Sequence, residues 1–218
     1  MLLAWFLIVP VAIPQQTGTL GGRLINGTHP SRALADVDLE VVALDQGMGI
    51  IRTAKTDSTG RFRIEGLPID SMLMLRAIYK DANYNRQFRF DATGNASVEL
   101  EVYEATTLWD AIRVEEYQMI FQAIGDHIQS MEMTILNNAT DPPETFMNSS
   151  GNFRFSKPPE IETLPQIRIT APGSSMPVVQ SPLESPDGEN YYTLFPLKPG
   201  KTTIETFELL PYKAREYT

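Results

Sequence analysis

Apolar and polar residues alternate at every second position along much of this chain, and that alternation most narrows what it can fold into. Asp36-Val37-Asp38-Leu39-Glu40-Val41 sets Val37, Leu39 and Val41 on one side and three carboxylates on the other, and Arg61-Phe62-Arg63-Ile64-Glu65 does the same with Phe62 and Ile64. Successive side chains leave a strand on opposite faces, so period 2 describes a half-buried strand rather than a helix. Further short strands are read at Leu20–Ile25, Ile50–Lys55, Leu73–Ala77, Arg86–Phe90 and Val98–Tyr103. Turn signals separate them every ~8–15 residues, the pattern of a β-sandwich. In the Asp57-Ser58-Thr59-Gly60 turn, Asp57 can accept backbone hydrogen bonds two residues on and Gly60 can take a positive φ. Both are read as structural turn residues.

The second half continues the pattern. Tyr117, Met119, Phe121 and Ala123 alternate with Gln118, Ile120 and Gln122, which favours a strand over a competing helix across 108–124. Ile128–Leu136, Phe153–Phe155 and Ile167–Ile169 follow as strands. Ala171–Gly188 is expected to be a long exposed loop in which Val178-Val179 pair briefly. Tyr191–Leu197 and Thr202–Leu210 are expected to form a hairpin about Lys198-Pro199-Gly200-Lys201. Tyr191 and Tyr192 must point to opposite faces. These elements describe a second, immunoglobulin-like sandwich.

Charge and composition exclude several functions. The chain has 218 residues, 18 Lys+Arg against 27 Asp+Glu, and a net charge of −9, which disfavours a nucleic-acid partner. Residues 17–107 carry 10 basic and 12 acidic side chains, and residues 108–218 carry 8 and 15. No cysteine occurs, so disulfides, thiolate metal sites and cysteine nucleophiles are absent. His29 and His127 are the only histidines, and neither stands in an H-x-x-E or H-E-x-x-H spacing. There is no G-x-S-x-G elbow and no Gly-rich phosphate loop. No catalytic residue, metal or cofactor is expected, and the chain is read as a non-enzyme.

Met1–Ile13 is apolar throughout and too short to span a bilayer, which suits the core of a secretory signal peptide over residues 1–16. The expected divisions are then a first sandwich over 17–106 and a second over 107–218. Tyr212–Thr218 reads as the start of a further strand, so the second sandwich is expected to be truncated, with any membrane anchor lying beyond it. Export to the periplasm, cell surface or medium follows from the leader. Four N-x-S/T sequons, at Asn26, Asn95, Asn138 and Asn148, matter only in a glycosylating host.

Gly18-Thr19-Leu20-Gly21-Gly22-Arg23-Leu24, Ala35–Leu39, and the complete T-D-x-x-G-x-F-x-x-x-G-L-P run from Thr56 to Pro68 make residues 17–105 resemble the carboxypeptidase regulatory-like domain. The resemblance implies a prealbumin-like sandwich, grouped with carbohydrate-binding-like folds. It also implies an accessory, non-catalytic module typical of secreted or envelope proteins of bacteria. The expected fold is thus all-β, two tandem β-sandwiches, prealbumin-like and then immunoglobulin-like, after the signal segment.

Two roles are open at this point. One is an exported, non-catalytic scaffold or protein-interaction module of the cell envelope, reached through sheet edges and loops. The other is a carbohydrate-binding module using Tyr79, Asp81, Asn83, Tyr84 and Asn85, with Phe88 and Phe90 beside them. Core filling by Tyr79 and the phenylalanines competes with that second role. Asp81-Ala82-Asn83-Tyr84-Asn85 also opens like a calcium loop, but Arg86 and Ala92 stand where such a loop needs Gly and Glu.

Overall fold

The computed structural model describes residues 16–211 except Gln46, Pro159, Glu160 and Glu162. The expected signal segment (apart from Gln16) and the Tyr212–Thr218 strand lie outside those residues. The described chain is all-β, with seventeen strands and no helix.

The first seven strands are β1 (Thr17–Asn26), β2 (Asp38–Ala43), β3 (Gly49–Lys55), β4 (Arg61–Pro68), β5 (Leu73–Tyr79), β6 (Ala82–Phe88) and β7 (Asn95–Val102). They form two sheets, ordered β4-β1-β7 and β3-β2-β5-β6. β1 is central in the first, antiparallel to β4 and parallel to β7. The alternating residues Leu20, Leu24, Leu39, Val41, Phe62, Ile64, Leu75, Val98 and Leu100 fill the space between the sheets.

The corners of this sandwich repeat one device. Asp57 Oδ1 accepts from the Thr59 and Arg61 amides at 2.8 and 3.0 Å, and Gly60 has φ +79°. Asp91 Oδ1 accepts from the Thr93 and Asn95 amides at 2.8 and 3.0 Å, and Gly94 has φ +77°. Each turn launches a neighbour of β1: the first launches β4 and the second β7. Carbonyls of Gly60 and Gly94 then accept from Leu24 and Thr19 of β1.

The sixth strand is displaced from its expected place. It begins at Ala82 rather than Arg86, because Lys80 and Asp81 take φ of +50° and +61° and close a two-residue hairpin that pairs Tyr79 with Ala82.

Ten further strands follow: β8 (Ala105–Thr106), β9 (Ile112–Ile124), β10 (His127–Asn138), β11 (Thr145–Phe146), β12 (Phe153–Ser156), β13 (Gln166–Thr170), β14 (Val178–Gln180), β15 (Leu183–Glu184), β16 (Asn190–Thr193) and β17 (Gly200–Pro211). They form sheets ordered β14-β13-β17-β10-β9, β12-β16-β15 and β11-β8. A second hydrophobic cluster joins Ile112, Leu136, Ile167, Ile169 and Ile204 of the large sheet to Phe155 and Tyr191 of the small one. Tyr191 is buried there and Tyr192 is half-buried on the opposite face. β14 and β15 are short strands within the segment expected to be loop.

The expected Tyr191–Leu210 hairpin does not form. β16 pairs with β12 and β15, whereas β17 pairs with β10 and β13. Pro196 and Pro199 interrupt the ladder, Gly200 takes φ +100°, and the intervening residues cross from one sheet to the other. The Leu197 bridge to Phe146 fixes that crossing.

Adjacent glycines in β1 make a paired test of the first sandwich. A Cβ at Gly22 would strike the Val98 carbonyl and the Phe62 ring, whereas one at Gly21 meets nothing within 4 Å. Gly22→Ala is expected to cost roughly 1–3 kcal/mol or more, as overpacking does, and Gly21→Ala to be near neutral. Urea denaturation of the two variants checks both.

Candidate interaction edge

The five residues expected to form a binding patch are not gathered on one open surface. Tyr84 is 3% exposed and turns inward. Its hydroxyl meets Thr145 Oγ1 at 2.8 Å, and the Lys198 ammonium lies 4.7 Å from its ring centre. Lys198 also donates to the Asn83 carbonyl at 2.7 Å, and burial pushes its pKa down to about 8. Tyr84 therefore offers no ring face to a sugar; it links the first strand group to residues 145 and 198. Burial pushes its phenol up, against hydrogen bonds from Thr145 and Tyr103 that act the other way.

Tyr79 is half-buried and donates to Glu104 at 2.6 Å. Burial alone would raise the Glu104 pKa, but hydrogen bonds from Tyr79 and Asn26 and the charges of Arg32 and Lys80 outweigh it and hold the carboxyl below its usual range. Asp81 sits in the β5–β6 turn, and Asn83 and Asn85 point outward from the edge strand β6.

The surface that stands out lies elsewhere, on β9. Among the described residues β10 is its sole neighbour, so its far edge carries unpaired backbone donors and acceptors. The alternation was expected to bury one face of this strand. Instead every residue from Arg113 to Ile124 is exposed, including Tyr117, Met119, Ile120 at 50% and Phe121 at 60%. The reason is reach. β9 extends ~40 Å at ~3.3 Å per residue, and of its residues only Ile112, at its start, joins the second cluster.

Register defines the two faces of this projecting region. Tyr117, Met119, Phe121 and Ala123 share a face with Ser130, Glu132 and Thr134 of β10 and Thr206 and Glu208 of β17. Gln118, Ile120, Gln122 and Ile124 share the other with Met131, Met133, Phe207 and Leu209. There Arg168 stacks 5.0 Å over Phe207 and reaches Glu205 at 3.8 Å. On the first face, burial pushes Glu208 up to about 7, and the charge of Glu132 pushes it the same way.

These β9 residues were not singled out as a site in the sequence. The signal was available: Tyr117–Ile124 is an eight-residue run without a charge in a chain that is 21% charged, and Ile120 breaks the polar half of its alternation. Such a run on a sheet edge lacks the lysines, prolines or inward charges that usually prevent pairing with another chain.

No protein-family model matches the chain, and no curated protein does. Among solved structures it is similar to a DUF3823 family protein from Parabacteroides merdae, at 12% identity, covering 88% of this chain and 80% of that one with a TM-score of 0.33. The full-length major pilin SpaD from Corynebacterium diphtheriae is 14% identical, with 93% of this chain and 58% of the pilin covered and a TM-score of 0.33. A 9R-lipoxygenase from Cyanothece is 20% identical over 45% of this chain and 18% of its own length, with a TM-score of 0.29. The chain thus spans less than a fifth of the lipoxygenase and over half of the pilin. Overlaps at these TM-scores carry no argument about a site, ligand or role.

Two outcomes are expected here. Tyr84→Phe removes the hydrogen bond to Thr145 and costs about 1 kcal/mol, read from the denaturant midpoint. Glu208 keeps its proton in the folded chain between its ordinary value of 4.5 and about 7, while the unfolded chain releases it. Its favourable contribution is therefore complete below the lower value and is lost as pH rises through the upper one. Glu208→Gln is expected to raise the Tm at pH 8 and leave it unchanged at pH 4, in thermal melts across that range.

Proposed function

We propose that this chain is a non-catalytic, exported protein-interaction module of the cell envelope that takes a partner strand on the edge of β9. The observation that carries the reading is that long edge: backbone unpaired among the described residues, no charge from Tyr117 to Ile124, and large apolar side chains on both faces. Strand addition uses those features, with backbone hydrogen bonds for affinity and alternate side chains for selectivity. The apolar Met1–Ile13 run supports export, and the Thr56–Pro68 run supports grouping residues 17–105 with carboxypeptidase regulatory-like domains. The divisions at 16/17 and 106/107 belong to the same proposal. The carbohydrate-binding alternative loses the aromatic face that motivated it, because Tyr84 is enclosed.

A photoreactive amino acid placed at Phe121 tests the proposal in the producing cell. Covalent protein adducts are expected from position 121 in the envelope fraction. They should be absent from the same probe at Arg63, which lies on another sheet, and lost when Ile120→Lys is added. No adduct at Phe121, or a chain confined to the cytoplasm, would overturn the reading.

A further inference from the structure

We propose that the strand added to β9 is β9 of a second copy, antiparallel, about a two-fold axis through Ile120. This rests on the reading of β9 as a docking edge and adds the identity of the partner.

The geometry leaves few registers. A two-fold axis perpendicular to a sheet pairs residue i with residue j of the other copy only where i and j sum to an even number, since directly opposed side chains must share a face. Centred on Ile120, the pairs are Ile120 with Ile120, Met119 with Phe121, Gln118 with Gln122, Tyr117 with Ala123, and Glu116 with Ile124. Each primary amide meets another, able to donate and accept. Each thioether meets an aromatic ring, a favourable contact for sulfur.

The neighbouring registers lack this match. Centring on Met119 sets Gln118 against Ile120. Centring on Phe121 sets Gln122 against Ile120. Centring on Gln118 sets Glu116 against Ile120 and Glu115 against Phe121. The Ile120 register alone of these matches amide with amide and keeps the carboxylates at the ends of the ladder. A partner unrelated in sequence has no need of such self-matching.

Charge limits where two copies can touch. Two copies, each carrying −9, repel over most approaches. The uncharged Tyr117–Ile124 run is where contact costs least. Glu132 lies one strand behind Met119, in the row that ends at Ser130 of the second copy rather than at its Glu132. The two β14-β13-β17-β10-β9 sheets would join into one ten-stranded sheet, with the Ile120, Met131 and Phe207 face continuous across the axis. A nine-residue ladder of ~30 Å lies toward the small end of specific interfaces, below ~1,200 Å². The expected dimer is therefore weak, dissociating in the micromolar range.

The chain has no cysteine, so single cysteines report the register directly. On the axis, Ile120→Cys faces its own copy within the ~4.4–6.8 Å Cα separation a disulfide needs. Tyr117→Cys faces Ala123 instead and is out of reach of itself. Sedimentation equilibrium of the whole chain is expected to show a reversible dimer, and mild oxidation should cross-link Ile120→Cys but not Tyr117→Cys. Gln118→Lys with Gln122→Glu should keep the dimer. Gln118→Lys with Gln122→Lys should weaken it at least tenfold; circular dichroism checks that both variants are folded.

A chain that stays monomeric to near-millimolar concentration, no cross-link at Ile120→Cys, or equal cross-linking at both cysteines overturns the inference. If the chain is monomeric while the Phe121 probe captures a different protein, self-pairing fails and the proposed function stands. If neither pairing nor capture is seen, both fail.

Discussion

Buried backbone groups must be hydrogen-bonded, and the described residues, which include no helix, do so largely by strand pairing. β1 shows how far that constraint shapes the fold. It is bonded on both sides, to β4 and β7, and Gly22 has no side chain because the Val98 carbonyl and the Phe62 ring occupy that space. Each partner strand is started by an Asp-x-Thr-Gly corner at one end of β1. β9 is the opposite case, paired among the described residues with β10 alone. The contrast between a doubly bonded strand and a singly bonded one separates the part that holds the sandwich together from the part available to something else.

The hydrogen bonds between the two strand groups are joined by one apolar contact. Tyr84 meets Thr145, Lys198 donates to Asn83, Thr28 donates to the Pro143 carbonyl at 2.5 Å, and Met147 packs against the first cluster. Glu104 collects Asn26, Arg32, Tyr79 and Lys80 beside them. Such contacts are specific in direction, because each donor left unpaired when buried carries a desolvation cost. Two sequon asparagines are consumed in the same way. Asn26 is bonded to Glu104, and Asn138 donates to the Glu144 and Leu197 carbonyls, so neither presents its amide to a modifying enzyme.

Much of this was readable from local pattern. Val37, Leu39, Val41, Phe62 and Ile64 alternate in the sequence and are buried in the structure, because strand period and burial are the same geometric fact there. The Asp57–Gly60 turn and its twin at Asp91–Gly94 carry the same Asp-x-Thr-Gly letters, so both corners are legible in the sequence. What pattern could not supply was which sheet a strand joins. Tyr191–Leu197 and Thr202–Leu210 look like consecutive arms of a hairpin, but Pro196 and Pro199 lie between strands that join different sheets. Nor does alternation say whether anything covers the apolar face, and beyond Ile112 the residues of β9 are exposed. Tyr84 was ambiguous for a related reason: a tyrosine with a buried ring and a bonded hydroxyl has the same letters around it as one that stacks on a ligand.

The pairing of the first and last described strands also bears on tension. β1 is matched with β7 at eight consecutive positions, and β17 with β10 at twelve. A pull along either strand stretches those hydrogen bonds together, in shear, rather than peeling them one at a time. Resistance to such a load is set by how fast the fold comes apart, not by its equilibrium stability. Here that rate is governed by ladders that must slip as a whole.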